Sequence, residues 1–258
     1  MRIDSLGLTT DLAILELQGS TVVDHGDHLV VRTEANPTFW WGNFLLLPAD
    51  VPRDEIPRWV ERFEAELPGA RHRAFGFVSA EGDHSGWVDL GYAVETDVTL
   101  VSGSVPSASP LSGGLEIRTL ESGEDWYQSA IVGGSGVPDD ERDDRLVFET
   151  RRARSQRGLV EGGHARWFGA FAGNRLVGSL GIVRLGSVAR YQDVITLPEF
   201  RRRGIAGALV RVAGEWALAQ PGVERLVIVA EEGGPAIGLY SRAGFVESSR
   251  HAGASRAP

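Results

Sequence analysis

One pattern of landmarks occurs twice in this chain, and it limits the folds available. Leu47-Pro48 is matched by Leu197-Pro198. Ile56, Trp59, Val60 and Phe63 give one helical face, as Leu209, Val212, Ala213 and Trp216 do 153 positions later. Pro68-Gly69 ends the first helix as Pro221-Gly222 ends the second, and Trp87, Gly91 and Tyr92 stand where Tyr240, Gly244 and Phe245 stand. Four features in one order at nearly one offset indicate an internal duplication. The copies differ just after Leu-Pro, where the first is three residues shorter and reads Ala49-Asp-Val-Pro-Arg-Asp-Glu-Ile56. Acids and proline stand there in place of arginine and glycine.

The Ser-, Pro- and Gly-rich run 102–114 can sustain neither a helix nor a packed strand. It divides the chain into a degenerate first domain (1–103), a linker (104–114) and a second domain (115–258). In the second, alternation predicts a strand over Leu115–Leu120, then helices over Glu124–Val132 and Asp139–Leu159. The run 151–157, R-R-A-R-S-Q-R, reads as the solvated face of the latter. Strands follow at Ala165–Ala172 and Arg175–Arg184, joined by the turn dipeptide Gly173-Asn174, and at Ala189–Leu197. A helix begins at Ile205, and Leu226–Val229 is apolar on both faces, as a central strand should be. Pro235–Arg242 reads as a short helix, and Gly244-Phe245 opens a last strand.

Composition removes several chemistries. There is no Cys, and every one of the 26 Lys+Arg positions is Arg. Thiolate nucleophiles, thiolate zinc sites, a Walker A loop, a pyridoxal Schiff base and a lysine base are therefore excluded. A formal charge of −9 argues against nucleic acid as a partner. No apolar run reaches the ~18 residues of a membrane span, and Met1–Asp11 lacks a signal pattern, so a cytoplasmic location is expected. The six His residues have no metal-ligand spacing, His25 and His28 reading as loop polarity, so no metal is expected. Trp40, Trp41 and Trp59 read as packing residues, with an acceptor-site lining as the alternative.

The chemistry lies in residues 197–208, L-P-E-F-R-R-R-G-I-A-G-A, between a strand and an amphipathic helix. The first N–H groups of a helix lack partners and, with the dipole behind them, attract anions. Gly204, Ala206 and Gly207 let a large anion reach the main chain, and Arg201, Arg202 and Arg203 add charge at the rim. This suits a pyrophosphate. The glycine spacing is not that of a dinucleotide-binding fingerprint.

R-R-R-G-I-A resembles the Q/R-x-x-G-x-G/A acyl-CoA signature of the GNAT family of N-acetyltransferases, and A-I-G-L-Y-S-R-A-G-F at 236–245 is similar to that family's A-x-x-L-Y-x-x-x-G-F element. The resemblance covers about residues 115–250, and the whole resembles a tandem GNAT protein with a degenerate first copy. It implies an α/β fold of two mixed sheets flanked by helices, the acyl-CoA N-acyltransferase fold. It also implies acetyl-CoA as co-substrate, its pantetheine arm on backbone groups of Ile195 and Leu197. Its pyrophosphate would rest on the amides of Arg202, Arg203, Gly204, Ile205, Ala206 and Gly207, with Arg201 in the signature's first position. Tyr240 matches the tyrosine placed near the thioester sulfur. Gly233 stands where the family commonly has asparagine, and only 13 residues follow Phe245. The closing strand is thus either absent or supplied by the other half.

Acetyl transfer to an amine requires a neutral nucleophile, although an alkylammonium has a pKa of about 10. It also requires donors for the oxyanion and a proton source for the leaving thiolate. Tyr240 is the candidate proton donor. Asp193, a carboxylate in an apolar strand, is the candidate base or water-orienting group, with Glu149 and Glu161 also open. The expected acceptor is a small-molecule amine, and the protein a monomer or homodimer. The competing reading is an acyl-CoA-binding sensor without turnover.

Overall fold

The computed structural model describes residues 1–109, 111, 113–136, 138 and 142–258. Pro110 and Ser112 of the expected linker, and Asp139–Glu141 at the expected start of the second helix, lie outside the described residues. In chain order the elements are α1 (Leu6–Leu17), β1 (Thr21–Asp24), β2 (Leu29–Arg32), β3 (Phe44–Leu47), α2 (Ile56–Glu66), β4 (Arg73–Phe77), α3 (Ser85–Asp89) and β5 (Ala93–Ser102). They continue as β6 (Leu115–Thr119), α4 (Gly123–Gly133), α5 (Arg142–Glu161), β7 (Ala165–Ala172), β8 (Arg175–Leu185) and β9 (Val188–Thr196). Then come α6 (Ile205–Leu218), β10 (Arg225–Glu231), α7 (Pro235–Arg242) and β11 (Val246–Arg256). Among the described residues no helix is long and apolar enough to cross a membrane.

Two compact units form. The first comprises Met1–Thr99, Val229–Ile237 and Glu247–Pro258; the second comprises Leu100–Ile228 and Gly238–Val246. In the first, the strand order is β1-β2-β3-β4-β11-β5. Its centre is Phe44-Leu-Leu-Leu47, where alternation sends successive side chains to opposite faces. Phe44 and Leu46 pack with Leu8, Leu12 and Leu15 of α1. Leu45 and Leu47 pack with Ile56, Trp59 and Phe63, the α2 face that the 3.6-residue period marks out. Each such buried side chain stabilises the unit by about 1.5–3 kcal/mol. His28 differs from its expected loop polarity: it is buried, stacked on His25 and set edge-on against Trp59.

The chain's last segment also belongs to this unit. β11 runs antiparallel to β4, from Ala252 opposite Phe77 to Arg256 opposite Arg73. The few residues after Phe245 therefore form a full strand, and 247–258 pack with the first unit.

In the second unit the order is β10-β9-β8-β7-β6. The β7–β8 hairpin turns at Gly173-Asn174, where Gly173 takes φ 60°. β8 and β9 are antiparallel, and β9 and β10 are parallel. α6 packs on β7, β8 and β9, while α4 packs on α5 and β8.

Asp125 anchors the start of α4. Ser122 caps the helix in a capping box with Asp125. The Asp125 carboxylate accepts from the N–H groups of Glu121 and Ser122, both at 3.0 Å, and from the Arg118 guanidinium at 2.7 and 2.9 Å. Those donors hold its pKa far below the ordinary carboxylate range, Arg118 contributing most. A depressed carboxylate pKa stabilises above the unfolded value of about 3.9 and loses that contribution as pH falls towards the folded one. Arg118 is 40% exposed, so solvent screens part of its share. Asp125→Ala should lower the unfolding free energy by about 2–3 kcal/mol at neutral pH. Urea unfolding at pH 7 and pH 3 should show the gap narrowing in acid.

Candidate functional site

Parallel strands β9 and β10 pair only at their beginnings. Val188, Ala189 and Arg190 lie opposite Arg225, Leu226 and Val227, and the registered pairs end there. Beyond Arg190, among the described residues, the registered partners of β9 are on the β8 side: Leu197 N–H donates to Val177 O at 2.9 Å, and Ile195 lies opposite Ser179. Leu197 O accepts from Phe200 N–H at 2.9 Å. Because strand backbone groups alternate in direction, those of Val194 and Thr196 face the edge turned away from β8. Thr196 O accepts from Arg201 Nε at 3.3 Å, while the buried Thr196 hydroxyl has no partner among the described residues.

The first unit shows the contrasting case. Its parallel strands β3 and β4 stay paired to the end, with Leu45, Leu46 and Leu47 opposite Phe75, Gly76 and Phe77. Val78 N–H then donates to Leu47 O at 3.1 Å. The connections beyond them touch, since a Cβ on Gly82 would lie 1.9 Å from Ala49 O. Where the second unit is parted, the first is zipped.

Past β9 the chain makes a short 3-10 turn, Pro198–Phe200, and enters α6 through 201–204. Arg202 and Gly204 adopt left-handed conformations, φ 63° and 80°. Gly204 caps α6 with no side-chain hydrogen bond, and the first intrahelical bond runs from Ala208 N–H to Gly204 O. The N–H groups of Ile205, Ala206 and Gly207 are left without helical acceptors. The Ile205 side chain is buried, while those of Arg201, Arg202 and Arg203 are exposed. Arg203 and Arg175 stand over the Phe200 ring, 4.9 and 5.4 Å from its centroid. The segment thus offers free backbone donors, a helix N-terminus and three arginines together, which suits a large anion.

Tyr240, on α7, is buried, with its ring edge-on to Phe245. Burial pushes its hydroxyl pKa up to about 12, partly countered by the Arg190 guanidinium. Arg190 is itself buried on β9 and donates to Tyr191 O at 2.6 Å. Tyr191 donates to Val210 O at 2.8 Å, an approach to α6 that Gly214 permits, since a Cβ there would lie 2.4 Å from the Tyr191 hydroxyl.

Asp193 sits where β9 carries an extra residue. The register steps from Gly181 opposite Gln192 to Ser179 opposite Ile195, so Leu180 faces both Asp193 and Val194. Asp193 takes φ 53°, the left-handed conformation found at the first position of one class of β-bulge. Its carboxylate is held by the Arg152 guanidinium and the Gln156 amide, both from α5. Arg152 also lies 3.9 Å from Glu149, which is buried, pairs with Arg145 at 2.7 Å and has its pKa raised by burial. Glu161 instead pairs with Arg157 at the surface.

Arg152 and Gln156 fall in the run read as a solvated face. Both turn inward, on one helical stripe with Glu149, Ala153 and Leu159. Spacings of three and seven from Glu149, one face of a helix, are the sequence signal that could have found them. Arg190 had no such signal, because a strand position alone does not tell which arginine is buried.

These strands and helices define the acyl-CoA N-acyltransferase fold, a mixed sheet flanked by helices. Residues 125–245, which hold the parted strands, the Arg/Gly segment and Tyr240, match the model of the Acetyltransferase (GNAT) family. A functionally unknown conserved protein from Staphylococcus epidermidis is similar at TM-score 0.71 and 14% identity, over 92% of this chain and 94% of its own. A GCN5-related N-acetyltransferase from Kribbella flavida is similar at TM-score 0.67 and 14% identity, over 98% and 96%. A tandem GNAT protein from the clavulanic acid biosynthesis pathway is similar at TM-score 0.57 and 14% identity, over 92% and 83%. No curated protein matches the sequence.

The raised pKa of Tyr240 keeps its proton in place where an ordinary tyrosine ionises. Stepping from pH 8 to pH 10.5 should therefore give the same rise in tyrosinate absorbance near 295 nm in the native protein and in Tyr240→Phe. A smaller rise in the variant would show an exposed, ordinary phenol.

Proposed function

We propose that the protein is an N-acetyltransferase that moves acetyl from acetyl-CoA to the primary amine of a small molecule by direct attack. The observation that carries this reading is the parted β9 edge running into the unpaired amides at the start of α6. One side of the gap offers the backbone of Val194 and Thr196 to a pantetheine arm, in place of the expected Ile195 and Leu197, which are engaged with β8. Its end offers the amides of Arg202 through Gly207, with the arginine rim, to a pyrophosphate. The family match over the same segment supports it.

In this reading the neutral amine attacks the thioester carbonyl carbon, and a tetrahedral intermediate forms. The C–S bond then breaks, the amide nitrogen loses its surplus proton, and CoA leaves as the thiol. Tyr240 suits a hydrogen bond to the departing sulfur. Its pKa of about 12 lies above the roughly 8.5 of a thiol, so it stabilises the developing thiolate without giving up its proton. The proton that completes the thiol comes from the attacking amine. The zipped β3–β4 pair supports assigning the first unit as a degenerate, non-binding copy, giving one acyl-CoA per chain.

Calorimetric titration with acetyl-CoA should give one site. Gly204→Glu, which forces a side chain into left-handed backbone and a negative charge beside the pyrophosphate, should weaken binding at least ~100-fold. Tyr240→Phe should leave binding unchanged and lower turnover of a responsive amine about tenfold. Two sites would make the first unit a binding copy, and binding without turnover of any amine would favour a sensor.

A further inference from the structure

We propose that Arg152 and Gln156 are positioning residues. They clamp the Asp193 carboxylate so that the β9 bulge keeps its left-handed turn and aims the Val194 N–H at the carbonyl oxygen of the acyl thioester. This rests on the acyl-CoA reading of the site and assigns Asp193 a conformational role in place of proton abstraction.

Three observations converge on it. The extra residue in β9 falls at Asp193–Val194, beyond the last pair with β10. Among the described residues Asp193 is one of two non-glycine residues at positive φ, the other being Arg202 in the anion-binding segment. Both its carboxylate oxygens are engaged, Oδ1 by Arg152 and Oδ2 by Gln156, donors one helical turn apart on α5. Aspartate and asparagine tolerate left-handed backbone because their short polar side chains bond locally. Here the bonds come from another element, so α5 dictates the turn. Leu197 N–H is already committed to β8, and alternation along the strand puts the Val194 N–H on the opposite edge. A fixed donor where negative charge develops on oxygen accelerates acyl transfer.

The test reads the carbonyl directly. Acetyl-CoA labelled with 13C at the thioester carbonyl is bound to the full chain, and the carbonyl resonance is compared with that of free acetyl-CoA. A hydrogen bond moves it downfield. The shift should persist in Asp193→Asn and Asp193→Gly, both of which accept a left-handed turn, and vanish in Asp193→Val and in the Arg152→Met/Gln156→Leu double variant. Affinity for unacylated CoA should change less than threefold in all four, which also reports that they fold. Hydrolysis of acetyl-CoA without added amine should be at least tenfold faster in the Asn and Gly variants than in Val. Equal loss of shift and hydrolysis in Asn, Gly and Val overturns the proposal and restores a carboxylate role. A shift retained in the double variant overturns the clamp. If the unmutated protein binds acetyl-CoA without a shift, the acyl-CoA reading stands and the positioning falls. If it does not bind acetyl-CoA, both fall.

Discussion

The separation of β9 from β10 after Arg190 is the constraint on which the rest of the second unit's site depends. A parallel pair that stayed zipped would satisfy its own N–H and C=O groups and offer nothing to a ligand. Parting the strands costs those hydrogen bonds, and something must hold β9 open against re-pairing. The bulge at Asp193–Val194 lies just beyond the last pair with β10, where an added residue bends the strand and steps its register against β8. The β8 partner holds the other edge, so the opening faces one way only.

The two units make this an internal comparison. β3 and β4 share the parallel arrangement of β9 and β10, yet their pairing runs to Leu47 and Phe77 and their connections meet at Ala49 and Gly82. The first unit's connection from β3 to α2 carries Pro52 and acids, and α2 begins behind an acidic first turn. The second has Gly204 at positive φ and a helix start free of side-chain caps. In one unit the strand ends close a core around Trp59, Phe63, Phe75 and Trp87. In the other the ends of β9 and β10 remain apart. The connections 48–55 and 197–204 join strand to helix over the same length, so their composition and not their length differs.

Charge placement follows the same division. The arginines at 201–203 are exposed, where they can meet an anion without the desolvation that burial would impose. Arg190 and Arg152 turn inward, and each is matched to acceptors: Arg190 to Tyr191 O, Arg152 to Asp193 and Glu149. Tyr240 sits near the buried Arg190, and its ionisation is raised by lost hydration more than it is lowered by that cation.

Much of this was legible in the sequence. The α2 face, the β7–β8 hairpin with its Gly-Asn turn, the apolar β10 and the Arg/Gly entry to α6 each follow from periodicity or local backbone preference, which neighbouring residues decide. The sequence alone also determined that thiol and lysine chemistry are absent. Tertiary structure decided the rest. That β11 joins the first unit's sheet, that His28 is buried, that Arg152 and Gln156 turn towards Asp193, and that β9 leaves β10 after Arg190 all depend on contacts between residues distant in the chain. Local propensity is a property of a few neighbours. Which arginine is buried, and where two strands stop pairing, are set by elements that are separate in the chain and pack together only in the fold.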